Sequence, residues 1–235
     1  MNKRLIIKRI SYGILLVSIT LWFYRYNEKN NLFELKNIDI SGNNYISIEE
    51  IMDSIILNTE VSLFSLNIQK IKNNLEKNPF IKTVYIGREI PDKLIIKIIE
   101  RTPIALIIQE ENIFFIDYDN FSLPVNSKTI NAFPVPILNI DKKNKNTSIS
   151  IIKYLYKNYN SMYNNTSEIV ESGSKITLVT DYNTKIFINP NMPINNILKL
   201  KNFEQTIRMN NQIYDYKYID LIYKNQIVAK KRIYS

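Results

Sequence analysis

Two pairs of adjacent acids, Glu49-Glu50 and Glu110-Glu111, are the nearest this sequence comes to a paired-carboxylate site. Neighbouring side chains diverge on helices and on strands, so neither pair can work as a matched dyad, and both read as solvated charges. The chain has 235 residues with no His and no Cys. That removes the commonest general base, the thiolate nucleophile and the usual transition-metal ligands. The four glycines, Gly13, Gly42, Gly87 and Gly173, lie far apart, so no glycine-rich loop cradles a phosphate. A serine or lysine nucleophile would need a supporting motif, and none is present. The sequence predicts no catalytic residue, no metal ligand, no cofactor and no small-molecule substrate.

Recognition is the chemistry these residues can do. The candidate partner-binding residues are Tyr218, Leu221, Tyr223, Gln226, Ile227, Val228, Ala229 and Lys230. Gln226 to Ile233 reads as a last strand with no chain after it to cover its far side. Lys230, Lys231 and Arg232 are charges of the kind that guard an open sheet edge. A guarded edge and nothing more is the plain reading. The functional one is that a partner segment adds a strand there, with backbone bonds giving affinity and Tyr223, Ile227 and Lys230 giving choice. The net charge of +9 is not a nucleic-acid signature, because no Lys/Arg stripe interleaves with stacking aromatics.

The elements that must hold this edge begin with an anchor. Lys3, Arg4, Lys8 and Arg9 precede an uncharged run from Ile10 to Tyr24. That run of about fifteen residues is shorter than the ~20 a spanning helix usually needs. Leu5 to Ile7 can extend it, and Arg9 and Arg25 can snorkel outward. Trp22, Tyr24 and Tyr26 sit where an interfacial aromatic belt would lie. The bulky Leu21-Trp22-Phe23-Tyr24 offers no small-x-small cleavage site, so the expectation is an uncleaved transmembrane helix over 10–26 rather than a removed signal peptide. With the basic flank inside, residues 1–9 are cytoplasmic and the bulk is extracytoplasmic.

Residues 33–102 read as β-α-α-β-β. Leu35, Ile38 and Ile40 form a strand ending at Ser41-Gly42-Asn43. Ser47 and Glu50 fit a capping box, with Ile48, Ile51, Met52 and Ile55 on one helical face. A loop from Leu57 to Leu66 follows. A second helix starts at Asn67, with Ile68, Ile71 and Leu75 inward and Leu66 against Ile71 as a staple. Asn78-Pro79 stops it. Val84 and Ile86 on one strand, and Leu94, Ile96 and Ile98 on the next, flank an Ile90-Pro91-Asp92 turn. Ile96 and Val84 are expected to lie against Ile51, Ile55, Ile71 and Leu75.

Several pieces of this segment together resemble a polypeptide-transport-associated (POTRA) domain of the bacterial cell-division FtsQ/DivIB family. They are Ile38-x-Ile40-x-Gly42-Asn43, Leu63-Phe64-Ser65-Leu66, Asn78-Pro79-Phe80-Ile81 and the hairpin through Glu100 and Pro103. Residues 103–235 read as a β-rich domain with two helices. Its strands are Ile104–Ile108, Ile113–Ile116 and a hairpin of Ile176–Thr180 with Thr184–Ile188. Ile149, Ile152, Tyr156, Tyr159 and Tyr163 recur at helical spacing, and Pro193 opens a helix with Ile197, Leu200 and Ile207 inward. Tyr218-Ile219-Asp220-Leu221 before a turn and a basic strand resembles the end of the FtsQ/DivIB β domain. The family usually has Arg after that Leu, where this chain has Ile222.

The expected fold class is thus α+β: a single transmembrane helix, a POTRA domain and a β domain. The resemblance implies a non-catalytic single-pass scaffold of the divisome at the plasma membrane and division septum. It implies FtsB/DivIC-like and FtsL-like partners and a part in controlling septal wall synthesis. The alternative is a POTRA-bearing subunit of an envelope transport or assembly machine, for which one POTRA unit and no room for a barrel are poor credentials.

Overall fold

The computed structural model describes residues 3–30, 33–55, 61–110, 112–140 and 145–233; for 3–7, 27–30 and 145 it describes the backbone alone. The chain divides into two compact units, Met1–Glu100 and Arg101–Ser235.

The first unit opens with α1, Lys3–Asn30. It is longer than the expected 10–26, and its side chains from 8 to 26 are exposed. Among the described residues no helix is long and apolar enough to cross a membrane. The reason lies in Arg9 and Arg25, which limit the uncharged run to about fifteen residues, a rise of ~22 Å against a hydrocarbon core of ~30 Å. The contribution expected from the Leu5 to Ile7 side chains lies outside the described residues.

The rest of this unit follows the expected β-α-α-β-β order: β1 (Asn37–Ser41), α2 (Ile48–Ser54), α3 (Ile68–Leu75), β2 (Ile81–Glu89) and β3 (Lys93–Glu100). The sheet order is β1-β3-β2, with β1 parallel and β2 antiparallel to β3. Ile96 and Val84 are buried in one cluster with Ile51, Ile55, Ile71 and Leu75, as their spacing predicted. Ile48 and Met52, expected on that same face, are exposed because α2 is only seven residues long and turns just Ile51 fully inward. Ser47 caps α2 by accepting from the Glu50 N–H (3.2 Å), while the Glu50 carboxylate accepts from Asn78 Nδ2 (2.9 Å). Asn67 caps α3. Residues 57–60 of the expected loop lie outside the described residues. Its remainder is tied down by Arg88, which donates to the carbonyls of Leu63 (2.8 Å) and Leu66 (2.7 Å). Glu100 accepts from the Tyr45 and Ile46 amides (both 3.0 Å) and fixes the turn after β1.

The second unit contains β4 (Pro103–Gln109), β5 (Asn112–Asp117), β6 (Ser122–Pro124), α4 (Ser127–Ala132), β7 (Ile137–Asn139), α5 (Lys145–Asn158), α6 (Asn160–Asn164) and β8 (Thr166–Ser172). It continues with β9 (Lys175–Thr180), β10 (Lys185–Ile188), α7 (Pro193–Ile207), β11 (Tyr216–Asp220) and β12 (Val228–Lys231). Among the described residues its strands form one nine-stranded sheet, ordered β12-β11-β10-β9-β8-β7-β4-β5-β6. Ile151, Ile152 and Leu155 of α5 and Ile197 and Leu200 of α7 pack on Leu138, Ile169, Leu178, Ile186 and Ile219. Among the described residues four α-helices stand where two were expected. The single helical run through Tyr163 breaks at Tyr159, whose hydroxyl hydrogen-bonds Glu204 of α7. The segment Phe133 to Leu138 enters a strand only at Ile137. Its Phe133 ring meets Phe115 edge-on, 5.8 Å between centroids, and is buried with Phe115 and Leu123. That second covered face explains the unbroken apolar run of β4.

Asp117 closes the β5–β6 turn. Its Oδ1 accepts from the Asp119 (2.9 Å) and Phe121 (2.8 Å) amides, and its Oδ2 accepts from Arg101 (2.6 Å). The Arg101 guanidinium lies 3.9 Å over the Phe121 ring. Asp117→Asn keeps the shape but leaves a largely buried guanidinium without its counter-ion. It should cost about 2–3 kcal/mol, seen as a lower urea midpoint for the second unit. An unchanged midpoint would show that the ring alone holds Arg101.

Candidate partner-binding edge

A strand becomes an edge when nothing bonds its outer side, and among the described residues β12 is one. It pairs antiparallel with β11, matching Tyr218 with Lys230, Ile219 with Ala229 and Asp220 with Val228. The direction of its free groups follows from its neighbours. Leu221 N–H donates to the Phe187 carbonyl of β10 (3.0 Å). Backbone groups alternate sides along a strand, so Asp220 and Tyr218 turn theirs towards β12. Val228 and Lys230 therefore bond inward. So does Arg232, whose N–H donates to the Asp215 carbonyl (2.8 Å). Ala229 and Lys231 turn N–H and C=O outward, where no further strand lies among the described residues.

Side-chain burial does not hold this strand, because all four of its residues are exposed. Two cations hold it instead. Lys199 of α7 donates from Nζ to the carbonyls of Leu221 (3.0 Å), Tyr223 and Gln226 (3.4 Å), and so fixes the turn before β12. Burial lowers the Lys199 pKa, partly offset by Asp220. Arg232 donates to the carbonyls of Tyr214 (2.9 Å) and Tyr182 and to the Thr184 hydroxyl (3.2 Å). Arg232, expected to guard the edge, is thus the clamp at its end. No local pattern marks Lys199, which acts on residues 22 to 27 positions away.

The residues singled out from sequence fall into three groups. Val228, Ala229 and Lys230 form the exposed edge, and Tyr223 and Gln226 are exposed on the turn before it. Tyr218 is half-buried beside the Phe187 ring, 6.1 Å between centroids, and Ile227 packs against the core. Leu221 is fully buried, so its side chain supports the strand from inside and is not presented at the surface. Ile222, where the family usually has Arg, hydrogen-bonds Asp220 through its backbone N–H (2.9 Å).

Of the tyrosines at helical spacing, Tyr159 and Tyr163 are buried in the core and Tyr156 is exposed. Tyr163 donates to the Ile104 carbonyl (3.0 Å). Burial raises the pKa of Tyr163, and burial together with Glu204 raises that of Tyr159. Both phenols stay protonated. Among the described residues no group of acids is placed to hold a metal ion.

The comparisons with known proteins agree across both units. The family described as "POTRA domain, FtsQ-type" matches residues 33–101, and "FtsQ/DivIB, C-terminal related" matches residues 102–230. The chain is similar to the cell division protein FtsQ of Rickettsia bellii, 29% identical over 201 residues, which is 85% of this chain and 73% of that protein. It is also similar to the cell division protein DivIB of Clostridium tetani, 31% identical over 144 residues, 60% of this chain and 52% of that one. Among solved structures, the major extracytoplasmic domain of DivIB from Geobacillus stearothermophilus aligns over 48% of this chain and 98% of that one, with TM-score 0.33 and 11% identity.

Proposed function

This chain belongs to the FtsQ/DivIB family of bacterial cell division proteins, and from that premise we propose that it is a non-catalytic scaffold of the divisome. It captures FtsB/DivIC-like and FtsL-like partners and so helps control septal wall synthesis. The observation that carries this reading is the open, clamped edge β12, with Ala229 and Lys231 turned outward. Backbone bonds along such an edge give affinity, and the exposed side chains beside it give choice.

The functional boundaries are 1–9 in the cytoplasm, 10–26 as the membrane segment, 33–102 as the POTRA domain and 103–235 as the β domain. Helix α1 anchors the chain by letting Arg9 and Arg25 reach the headgroups from the ends of its short apolar run. A reporter active only outside the cytoplasm should give signal when fused after Ser235 and none when fused before Met1. The reverse pattern would refute this orientation, and release of the full chain by high salt would refute the anchor. Depleting the protein should block septation while growth continues, with a labelled copy at midcell. Uniform envelope labelling with normal division would favour the transport-machine reading.

A further inference from the structure

The solvent side of the sheet beside β12 is a groove of about 630 Å³, lined by Lys185, Phe187, Lys217, Tyr218, Lys230 and Lys231, among others. These residues come from three strands, β10, β11 and β12, brought side by side by the fold. All four lysines are exposed. Among the described residues no carboxylate lines the groove and none of the four is in an ion pair. Lys175 adds a fifth cation, 4.5 Å over the Phe187 ring. Asp220, the acid on β11, faces Val228 and uses Oδ1 on the Ile222 amide. Like charges gathered this closely repel one another, and an anion placed among them relieves that repulsion.

The groove and the open edge are continuous, because Lys230 and Lys231 belong to both. Lys230 lies opposite Tyr218, so its side chain shares the groove face. In a strand added to β12, every second residue would point to that same face, directly beside Lys230, with Tyr218 and then Phe187 on the next strands inward. Resting on the edge reading above, we infer that the segment captured by β12 is an acidic strand with carboxylates at alternate positions, all on its groove side. Opposite charges across adjacent strands favour pairing, and like charges directly opposite oppose it. The lysines then reject cationic and self-complementary edges as well as attracting the acidic one.

The test uses the purified full chain in a zwitterionic detergent and three short labelled peptides of equal length. One alternates Thr and Glu, one carries the same residues as a Thr block followed by a Glu block, and one alternates Thr and Lys. The alternating acidic peptide should bind at least about tenfold more tightly than the block peptide, and the lysine peptide should not bind. The double variant Lys185→Glu with Lys230→Glu should reverse the preference between the alternating peptides. Ala229→Pro should remove binding of the acidic one. Equal affinity for alternating and block peptides would overturn the proposal, leaving charge attraction without strand pairing. Binding of vesicles rich in anionic lipid, lost in the double variant with no peptide preference, would also overturn it and assign the groove to a membrane surface. If the double variant still binds the acidic peptide while Ala229→Pro blocks capture of the division partner, the acidic-strand inference fails and the edge reading stands. If Ala229→Pro leaves both kinds of capture intact, the edge reading fails and takes the inference with it.

Discussion

Replacing Gly42 with alanine should unfold the first unit. Gly42 follows β1 with φ +83°, and a Cβ there would lie 2.1 Å from the Ile98 carbonyl oxygen. That oxygen cannot yield easily, because β3 is the central strand, bonded to β1 on one side and β2 on the other. The left-handed backbone alone costs an alanine ~1 kcal/mol. The overlap with a fixed backbone atom raises the total to on the order of 4 kcal/mol or more, against a net stability of ~5 kcal/mol for a small domain. Gly173 provides the control. It too has positive φ, +59°, but nothing lies within 4 Å of its would-be Cβ. Gly173→Ala should cost only the ~1 kcal/mol of backbone strain. Amide exchange in the full chain reads both: Ile96 and Ile98 should lose protection in Gly42→Ala, with the second unit unaffected. Retained protection at Ile96 would show that β1 can shift away and that the close approach is not required.

The second large effect is on partner capture. Ala229→Pro removes an outward N–H and places a ring where an added strand would sit, while the inward bonds of Val228 and Lys230 remain. Capture of the division partner should weaken at least a hundredfold, ~2.7 kcal/mol. Little stability should be lost, since the β12 side chains bury almost nothing. Val228→Pro acts differently, because it removes a bond to β11 and frees the strand itself. Amide exchange separates the two: Asp220 and Tyr218 stay protected in Ala229→Pro and lose protection in Val228→Pro. Truncation after Asn225 should abolish capture as well. Unchanged capture in that truncation would move the site to α7 or to the POTRA-like unit.

What the sequence by itself determined is what short-range chemistry can write. Capping residues Ser47 and Asn67, the Asn78-Pro79 stop, the Pro91-Asp92 turn and period-two runs such as Leu94, Ile96 and Ile98 act within a few residues. They yield the β-α-α-β-β order and the β9–β10 hairpin directly. Family resemblance in those same motifs pointed to cell division. The strand β8, TSEIVES, is invisible by this route. Its polar residues mask the pattern, and it becomes a strand because β7 and β9 bond it on either side. Tertiary structure also decided which side of β12 is open. A one-residue slip would exchange Ala229 for Val228 at the edge, and the β11–β12 pairing, the Lys199-held turn and the Arg232–Asp215 bond set that register. The basic groove is decided at the same level. Lys185, Lys217 and Lys230 are scattered along the chain, and each alone reads as a solvated charge. They become a single field only because sheet pairing stacks β10, β11 and β12 side by side, and no pattern of near neighbours encodes that contact.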